Sequence, residues 1–444
     1  MIEVPTIDNY RKLFIGIDTP VVLADGSLRT AINFDNGATT PPFKYVGQVI
    51  EEKIGMYGAV HRAGQKSIYS TEAYEESKRK VLKFVGVTPE DGYCVIYTKN
   101  ATEGLNLLAE ELCISPGTKV LTTRMEHHAN DLPWRKRAKV FYVEVNEKGL
   151  LCLDELEEKL RCGAGTIEYV SVSGASNVTG YIMPINKIAH IVHKYGAKLI
   201  VDAAQLVAHY PINMKGTRGD DSIDFLVFSA HKMYAPFGTG VIIAKTELLQ
   251  TCTPYITGGG AVKAVFDDDV YYKCTPDKEE AGTPNYFGVM ALSAAIDMLM
   301  SIGMNKITRH EQKLKNRLLS GLMNMPKVIL YGDPSYSARL GVVTFNVAGM
   351  HHSVVNQILA DRGGIAVRNG CFCAQPYVSR LLGVSDKERY ELMLNPERPE
   401  PGMIRVSFGL YNTEEEVDAF LEIMKWICGN KDMEFKRAVR YRRK

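Results

Sequence analysis

The stretch Ile223–Gly240, "IDFLVFSAHKMYAPFGTG", decides how the rest of the chain is read. Its apolar run ends at Phe228; Ser229, His231 and Lys232 then emerge, followed by Pro236, Gly238 and Gly240. Apolar residues on consecutive positions suit a strand covered on both faces. A lysine leaving such a strand carries a charge that is costly to bury. Taken alone, Lys232 reads as a solvated loop residue, and only its neighbours can argue otherwise.

Working outward from this stretch, "GYCVIYT", "KVLTT", "KVFYVEV", "IEYVSVS", "KLIVDAA" and "GVIIAK" are further short β-branched runs between about residues 92 and 245. "ATEGLNLLAEEL", "LDELEEKLR" and "INKIAHIVHKYG" between them have helical spacing. Strand and helix in alternation predict an α/β fold around a mostly parallel sheet. After "EAGTPN" the texture changes to one long helical stretch over 286–325. A smaller α+β pattern follows, with "RLGVVTFNV" and "MIRVSFGLYNT" as strands. We expect an N-terminal segment (1–30) packing with the small domain, a large domain (31–290), a small C-terminal domain (291–430) and a basic tail (431–444).

Composition narrows the function. The 444 residues are 45% hydrophobic and 23% charged, which is ordinary for a globular protein. The net charge of +2 supplies no broad positive field, so nucleic acid is not expected as a partner. The tail "KRAVRYRRK" is the exception and reads as a solvated terminus. No apolar run approaches the ~18 residues of a membrane helix, and the start lacks the apolar core of a secretory signal. Nine scattered cysteines without a C-x-x-C pair fit free thiols in a reducing compartment, so a cytoplasmic location is expected.

In an open parallel sheet, ligands collect beyond the carboxyl ends of the strands. There, "KLIVD" delivers Asp202, with Gln205 one step on. Thr102 stands at a strand-to-helix turn, where backbone N–H groups and the helix dipole can hold a phosphate. "RMEHHAN" offers His127 and His128, and "SNVTG" offers Asn177. Each is weak alone: Asp202 could cap a helix and His127 could be a satisfied core histidine. Together they provide a lysine, an acid, a phosphate cradle and a planar ring at one sheet edge, which is what pyridoxal 5′-phosphate needs.

"NFDNGATTPP", "YGAVHR", "NATEGLN", "MEHHAN", "VDAAQ", "FSAHKMYAPFGTG", "GGG", "EAGTPN" and "VRNGCFCAQP" occur in that order. By these motifs the chain resembles class V aminotransferase-fold enzymes, most closely cysteine desulfurases of the SufS type, over about residues 30–425. The resemblance implies a pyridoxal phosphate enzyme of fold type I. Its large domain would hold the mostly parallel sheet, with the α+β domain C-terminal to it. Lys232 would be the Schiff-base lysine, His127 the ring-stacking residue, Asp202 the partner of the pyridine nitrogen and Gln205 that of the phenolic oxygen. Thr102, Ser229 and His231 would bind phosphate. Thr283 would reach the phosphate of a second subunit, implying a homodimer. Asn177 and Arg405 would hold the substrate carboxylate, Arg368, His61 and Arg62 would line the mouth of the site, and Cys373 would be the catalytic thiol. The implied substrate is L-cysteine or selenocysteine. A sulfur-acceptor protein and a role in iron–sulfur cluster assembly are implied with it.

The octet "RNGCFCAQ" (368–375) needs its own reading. Two thiolates lack the two further ligands of a closed zinc site, so no metal is expected. In an extended segment both side chains would share a face, but a disulfide across one residue closes a strained ring. Two small buried cysteines are the bland alternative. Beside a cofactor site, Cys373 reads as a nucleophile, with Arg368 favouring its thiolate and Gly370 loosening the loop. Cys371 is left as a spectator or modulator. The "GCFC" form also looks like the loop of molybdenum cofactor sulfurases, and the stretch from Cys373 to Arg405 is longer than in compact desulfurases. A class V transaminase, epimerase or lyase acting on another amino acid, and a non-enzymatic thiol carrier of sulfur or metal, therefore stay beside the desulfurase reading.

Overall fold

The computed structural model describes residues 7–113, 115, 117–395 and 397–430. The basic tail, and the expectation attached to it, lie outside the described residues.

Seven strands form the main sheet: Tyr93–Thr98 (β1), Lys119–Thr123 (β2), Lys139–Val143 (β3), Tyr169–Ser173 (β4), Lys198–Asp202 (β5), Phe225–Ser229 (β6) and Gly240–Lys245 (β7). Their spatial order is β1-β7-β6-β5-β4-β2-β3. The strands β2 to β6 pair in parallel, whereas β7 runs antiparallel to both β6 and β1. Six strands therefore point one way, and β7 begins at the edge where they end. Burial explains the composition. Every residue of β6 is buried, because helices cover both sheet faces, while the edge strand β3 is exposed at Lys139 and Phe141.

The smaller domain is a four-stranded antiparallel sheet of Val328–Tyr331 (β8), Val342–Val347 (β9), Arg368–Gly370 (β10) and Met403–Ser407 (β11), ordered β8-β9-β11-β10. The helices Met304–Met323, His352–Gly363 and Glu414–Gly429 bury Leu318, Leu359 and Phe420 against Phe345 and Ile404. The long segment after Cys373 folds into two short helices, Gln375–Leu382 and Asp386–Leu394.

The single long helix expected over 286–325 is instead two helices, Tyr286–Ile302 and Met304–Met323, which meet at 79°. Gly303, at φ 91°, makes the corner in a conformation that side chains resist. Tyr286–Ile302 buries Ala291, Leu292 and Leu299 in the core of the large domain. The expected boundary at 290/291 thus falls inside a helix, and the next helix starts in the same core, with Ile307 buried there and Thr308 donating to His209 O at 2.8 Å. Among the described residues no single helix is long and apolar enough to cross a membrane.

The N-terminal segment touches both domains. Phe14 packs on Phe43 and Tyr234, whereas Tyr10 packs on His310 and Arg11 pairs with Glu416 at 2.5 Å.

Candidate active site

A cavity of ≈ 270 Å³ opens at the carboxyl edge of the main sheet, near the lower end of small-molecule sites. The carboxyl ends of β1, β2, β4, β5 and β6 each deliver one part of its wall. After β1 come Asn100, Ala101 and Thr102, at the start of the helix Ala101–Leu112. The Asn100 side chain accepts from Glu103 N at 2.9 Å and caps the helix, and Ser229 Oγ accepts from Ala101 N at 2.8 Å. Thr102 is exposed in this first turn, where the remaining N–H groups and the dipole favour an anion. His231 lines the same corner, its Nδ1 3.2 Å from Thr39 Oγ1. The close approach of the β1–helix turn to β7 requires Gly240: a Cβ there would lie 2.4 Å from Asn100 C and from Thr98 Oγ1.

His127 follows β2. Its Nδ1 accepts from Ala129 N at 3.0 Å, which leaves the ring proton on Nε2. Burial, followed by the charges of Lys232, His128 and Arg405, pushes its pKa down to about 3, so the ring is neutral. Beneath it Glu126 is buried and accepts from Thr123 Oγ1, Asn130 Nδ2 and Ser173 Oγ at 2.5, 2.7 and 2.6 Å. Burial outweighs these donors and raises its carboxyl to about 7. No pattern in the sequence distinguished Glu126 from a surface acid.

Asp202, at the end of β5, is buried with one oxygen accepting from Ala204 N at 3.0 Å. Burial raises its pKa, while the Ala204 N–H and then the more distant Lys232 charge pull it back. Gln205 donates to Gly37 O at 2.7 Å. Lys232 lies just past β6, and among the described residues its Nζ makes no hydrogen bond or ion pair. Burial is the largest influence and lowers its pKa to about 8; Asp202 and Cys373 oppose the shift, while Arg405 adds to it.

The small domain closes the cavity. Arg405, in β11, is 3% exposed. Its Nη1 donates to Asn177 O at 3.1 Å and its Nη2 to Asp35 Oδ1 at 2.8 Å, while its Nε is buried without a partner. Arg368 in β10 also faces Asp35, at 3.8 Å. Asp35, inside "NFDNGATTPP", went unassigned although it is the only charge in that stretch.

The thiol loop departs from expectation. Phe372 and Cys373 adopt left-handed φ angles of 52° and 55°, so the segment is a turn and not extended. Two side-chain-bearing residues in that region cost about 1–2 kcal/mol each, and the loop is held there by specific bonds. Asn177 Nδ2 donates to Phe372 O and His128 N donates to Cys373 O, both at 2.7 Å. The Asn177 amide therefore positions the loop, and its place beside Arg405 rests on its carbonyl. Gly370 is not a loosening point: it sits in β10, paired with Met403. Cys373 is exposed and lines the cavity opposite Lys232.

Thr283, His61 and Arg62 do not reach this cavity and are exposed elsewhere. Glu280, its side chain 11% exposed, ties their segments together. It accepts from Tyr97 N in β1 at 2.8 Å, and from Tyr74 at 2.8 Å and Lys78 at 3.2 Å in the helix that follows His61 and Arg62.

The residues fit pyridoxal 5′-phosphate. A buried carboxylate short of a cation suits a protonated ring nitrogen, and an unpartnered lysine of lowered pKa suits an aldehyde. A neutral ring is available for stacking, and a helix N-terminus for the phosphate. The orphaned Arg405 Nε suits a substrate carboxylate.

Known proteins agree with this geometry. The model of the family Aminotransferase class-V matches residues 32–420. A probable cysteine desulfurase of Synechocystis is 34% identical over 423 residues, covering 92% of this chain and 93% of that protein. One from Pyrococcus abyssi is 35% identical over 406 residues, covering 89% and 93%. The cysteine desulfurase structure from Thermococcus onnurineus superposes with a TM-score of 0.80 at 34% identity, covering 90% of this chain and 94% of that one. From strand ends to family model, the chain belongs to the aminotransferase class-V family.

Proposed function

We propose that the protein is a pyridoxal phosphate-dependent cysteine desulfurase, converting L-cysteine to L-alanine and leaving the sulfur as a persulfide on Cys373. The observation that carries this reading is that one cavity holds Lys232, Asp202, Arg405 and Cys373. A transaminase, epimerase or lyase needs the first three and has no use for a thiol there.

Lys232 would hold the cofactor covalently, Asp202 would face its ring nitrogen, Gln205 its phenolic oxygen and His127 its ring. Thr102, Ser229 and His231 would take the phosphate. When bound, the cofactor supplies a sink for the negative charge that develops at the substrate Cα. Arg405 orients the substrate through its carboxylate. The Lys232 amine, with a pKa near 8, takes the Cα proton. Cys373 Sγ attacks the substrate sulfur, and a sulfur–sulfur bond forms as the Cβ–sulfur bond breaks. The electron pair of the broken bond stays with carbon, which is protonated to give alanine.

The exposed positions of Thr283, His61 and Arg62, held together by Glu280, support a homodimer in which they complete the partner's site. The exposure of Cys373 supports delivery of sulfur to an acceptor protein, as in iron–sulfur cluster assembly. Nine unbridged cysteines support a reducing, cytoplasmic location.

The test is to incubate the protein with pyridoxal phosphate and a panel of amino acids. Alanine should form from cysteine, with one added sulfur on the Cys373 peptide, and Lys232→Ala should abolish both. Turnover of another amino acid with no sulfur on Cys373 would overturn the reading.

A further inference from the structure

The left-handed turn at Phe372 and Cys373 gives the two cysteines of "CFC" different surroundings. Cys373 lines the catalytic cavity. Cys371 does not: its Sγ donates to Pro401 O at 3.3 Å and is half-buried. Pro401 belongs to the wall of a second groove, of ≈ 440 Å³, that the long segment after Cys373 builds behind the loop. His351, His352, Glu388 and Gly402 also line that groove. The two histidine rings lie 4.0 Å apart, and both Nε2 atoms meet Glu400 O, at 3.0 and 3.1 Å. Phe372 is the partition. It is buried, with its ring 5.2 Å from the Arg405 guanidinium and its carbonyl tied to Asn177. Gly402 packs so closely behind Gly370 that a Cβ on it would lie 2.7 Å from Gly370 Cα. The loop thus has the catalytic cavity on one side, lined by Cys373, and on the other the Pro401–Gly402 wall of the second groove, which Cys371 touches through its bond to Pro401 O.

We propose that Cys371 is a second sulfur-carrying thiol, which takes the sulfane sulfur from Cys373 and presents it to the outer groove. The proposal rests on the desulfurase reading above. Two residues span at most about 7 Å, and the persulfide extends the Cys373 side chain by about 2 Å, so the outer sulfur comes within reach of its neighbour by side-chain rotation. The Cys371 thiolate attacks that outer sulfur, and a sulfur–sulfur bond forms on Cys371. The bond to Cys373 Sγ breaks and its electron pair stays there, with the Cys371 proton ending on Cys373. No net oxidation occurs and no further reactant is needed. Burial, with the nearby Glu400 and Cys373 charges, raises the Cys371 pKa, and Arg389 on the helix Asp386–Leu394 partly offsets this, so the thiolate that attacks is a minor form.

The test uses the full-length holoenzyme and L-cysteine without an acceptor, quenched at intervals in acid with an alkylating reagent and mapped by mass spectrometry. Sulfur should appear on Cys373 first and on Cys371 after it. In Cys373→Ser, Cys371 should carry none, and in Cys371→Ser the sulfur should remain on Cys373. Alanine formation with sulfur confined to Cys373 in the unaltered protein overturns the relay and leaves the desulfurase reading intact. Absence of alanine overturns that reading instead. Charging of Cys371 in Cys373→Ser, or equal charging of the remote Cys152 and Cys428, also overturns the relay.

Discussion

Lys232 should behave as an amine of pKa about 8 in the cofactor-free protein, and this can be followed directly. At pH 7 such an amine is about 10% neutral, whereas an ordinary lysine is about 0.03% neutral, a difference of about 300-fold in the nucleophilic form. The rate of covalent attachment of pyridoxal phosphate should rise about tenfold per pH unit up to pH 7 and level off above pH 8 to 9. Timed exposure, borohydride reduction and mass spectrometry of the Lys232 peptide measure it. Reaction of the reagent with a simple amine, run in parallel, removes the reagent's own titration. The sign of two variants follows from the neighbours. Asp202 holds the Lys232 pKa up, so Asp202→Asn should move the midpoint below 8; Arg405 pushes it down, so Arg405→Met should raise it. A rate that keeps climbing past pH 10, or a midpoint that Asp202→Asn moves upward, would refute the claim that a desolvated amine occupies this wall.

Three other outcomes are expected. Arg405→Lys should raise KM for cysteine about 10- to 100-fold with a smaller change in kcat, because a charge-assisted hydrogen bond of about 1.5–3 kcal/mol is lost in the bound and reacting substrate alike; steady-state kinetics decide it, and an unchanged KM removes Arg405 from the carboxylate site. Gly240→Ala should cost about 1–3 kcal/mol in urea unfolding and weaken cofactor retention, since its Cβ would collide with Asn100 and Thr98; normal values for both would contradict the close approach. Asp224 is fully buried and joins Lys245 at 2.8 Å, His193 at 2.7 Å and Leu199 N at 2.8 Å, so Asp224→Asn should cost about 3–5 kcal/mol. Its carboxyl is held below 3.8, so its contribution is present above that pH and lost as pH falls through the lower folded value. The His193 pKa is raised above 6.5, so that share is present below 6.5 and fades as pH rises through the raised value. The stability gap to wild type should therefore be widest near pH 5 to 6 and narrow above 7, and a flat gap would count against the pair.

What could be read from the sequence was set by the sheet. Strands alternating with helices run parallel, so Thr102, His127, Asp202 and Lys232, each just past a strand, meet at one edge; β7, as apolar as the rest, runs the other way and its direction could not be read from composition. Arg405 and Cys373 come from another domain, and no spacing rule joins them to Lys232. Only the resemblance to a family brought them in. The turn at Phe372 and Cys373 was illegible because its left-handed geometry is imposed by Asn177 and His128, far away in the chain. The break at Gly303 was missed because apolar spacing continues across it, and one glycine is a weak helix breaker by propensity alone. Glu126 and Asp35 act through burial and pairing, which a string of letters does not display.

Arg368 stands directly across from Arg405 in the antiparallel pairing of β10 with β11. The strand that leads into the reactive sulfur and the strand that anchors the substrate's acid group are therefore bolted side by side. The distance between the thiol and the acid-binding guanidinium is thus set by backbone pairing within one sheet, while Asn177 and His128 fix both against the larger domain that carries the amine.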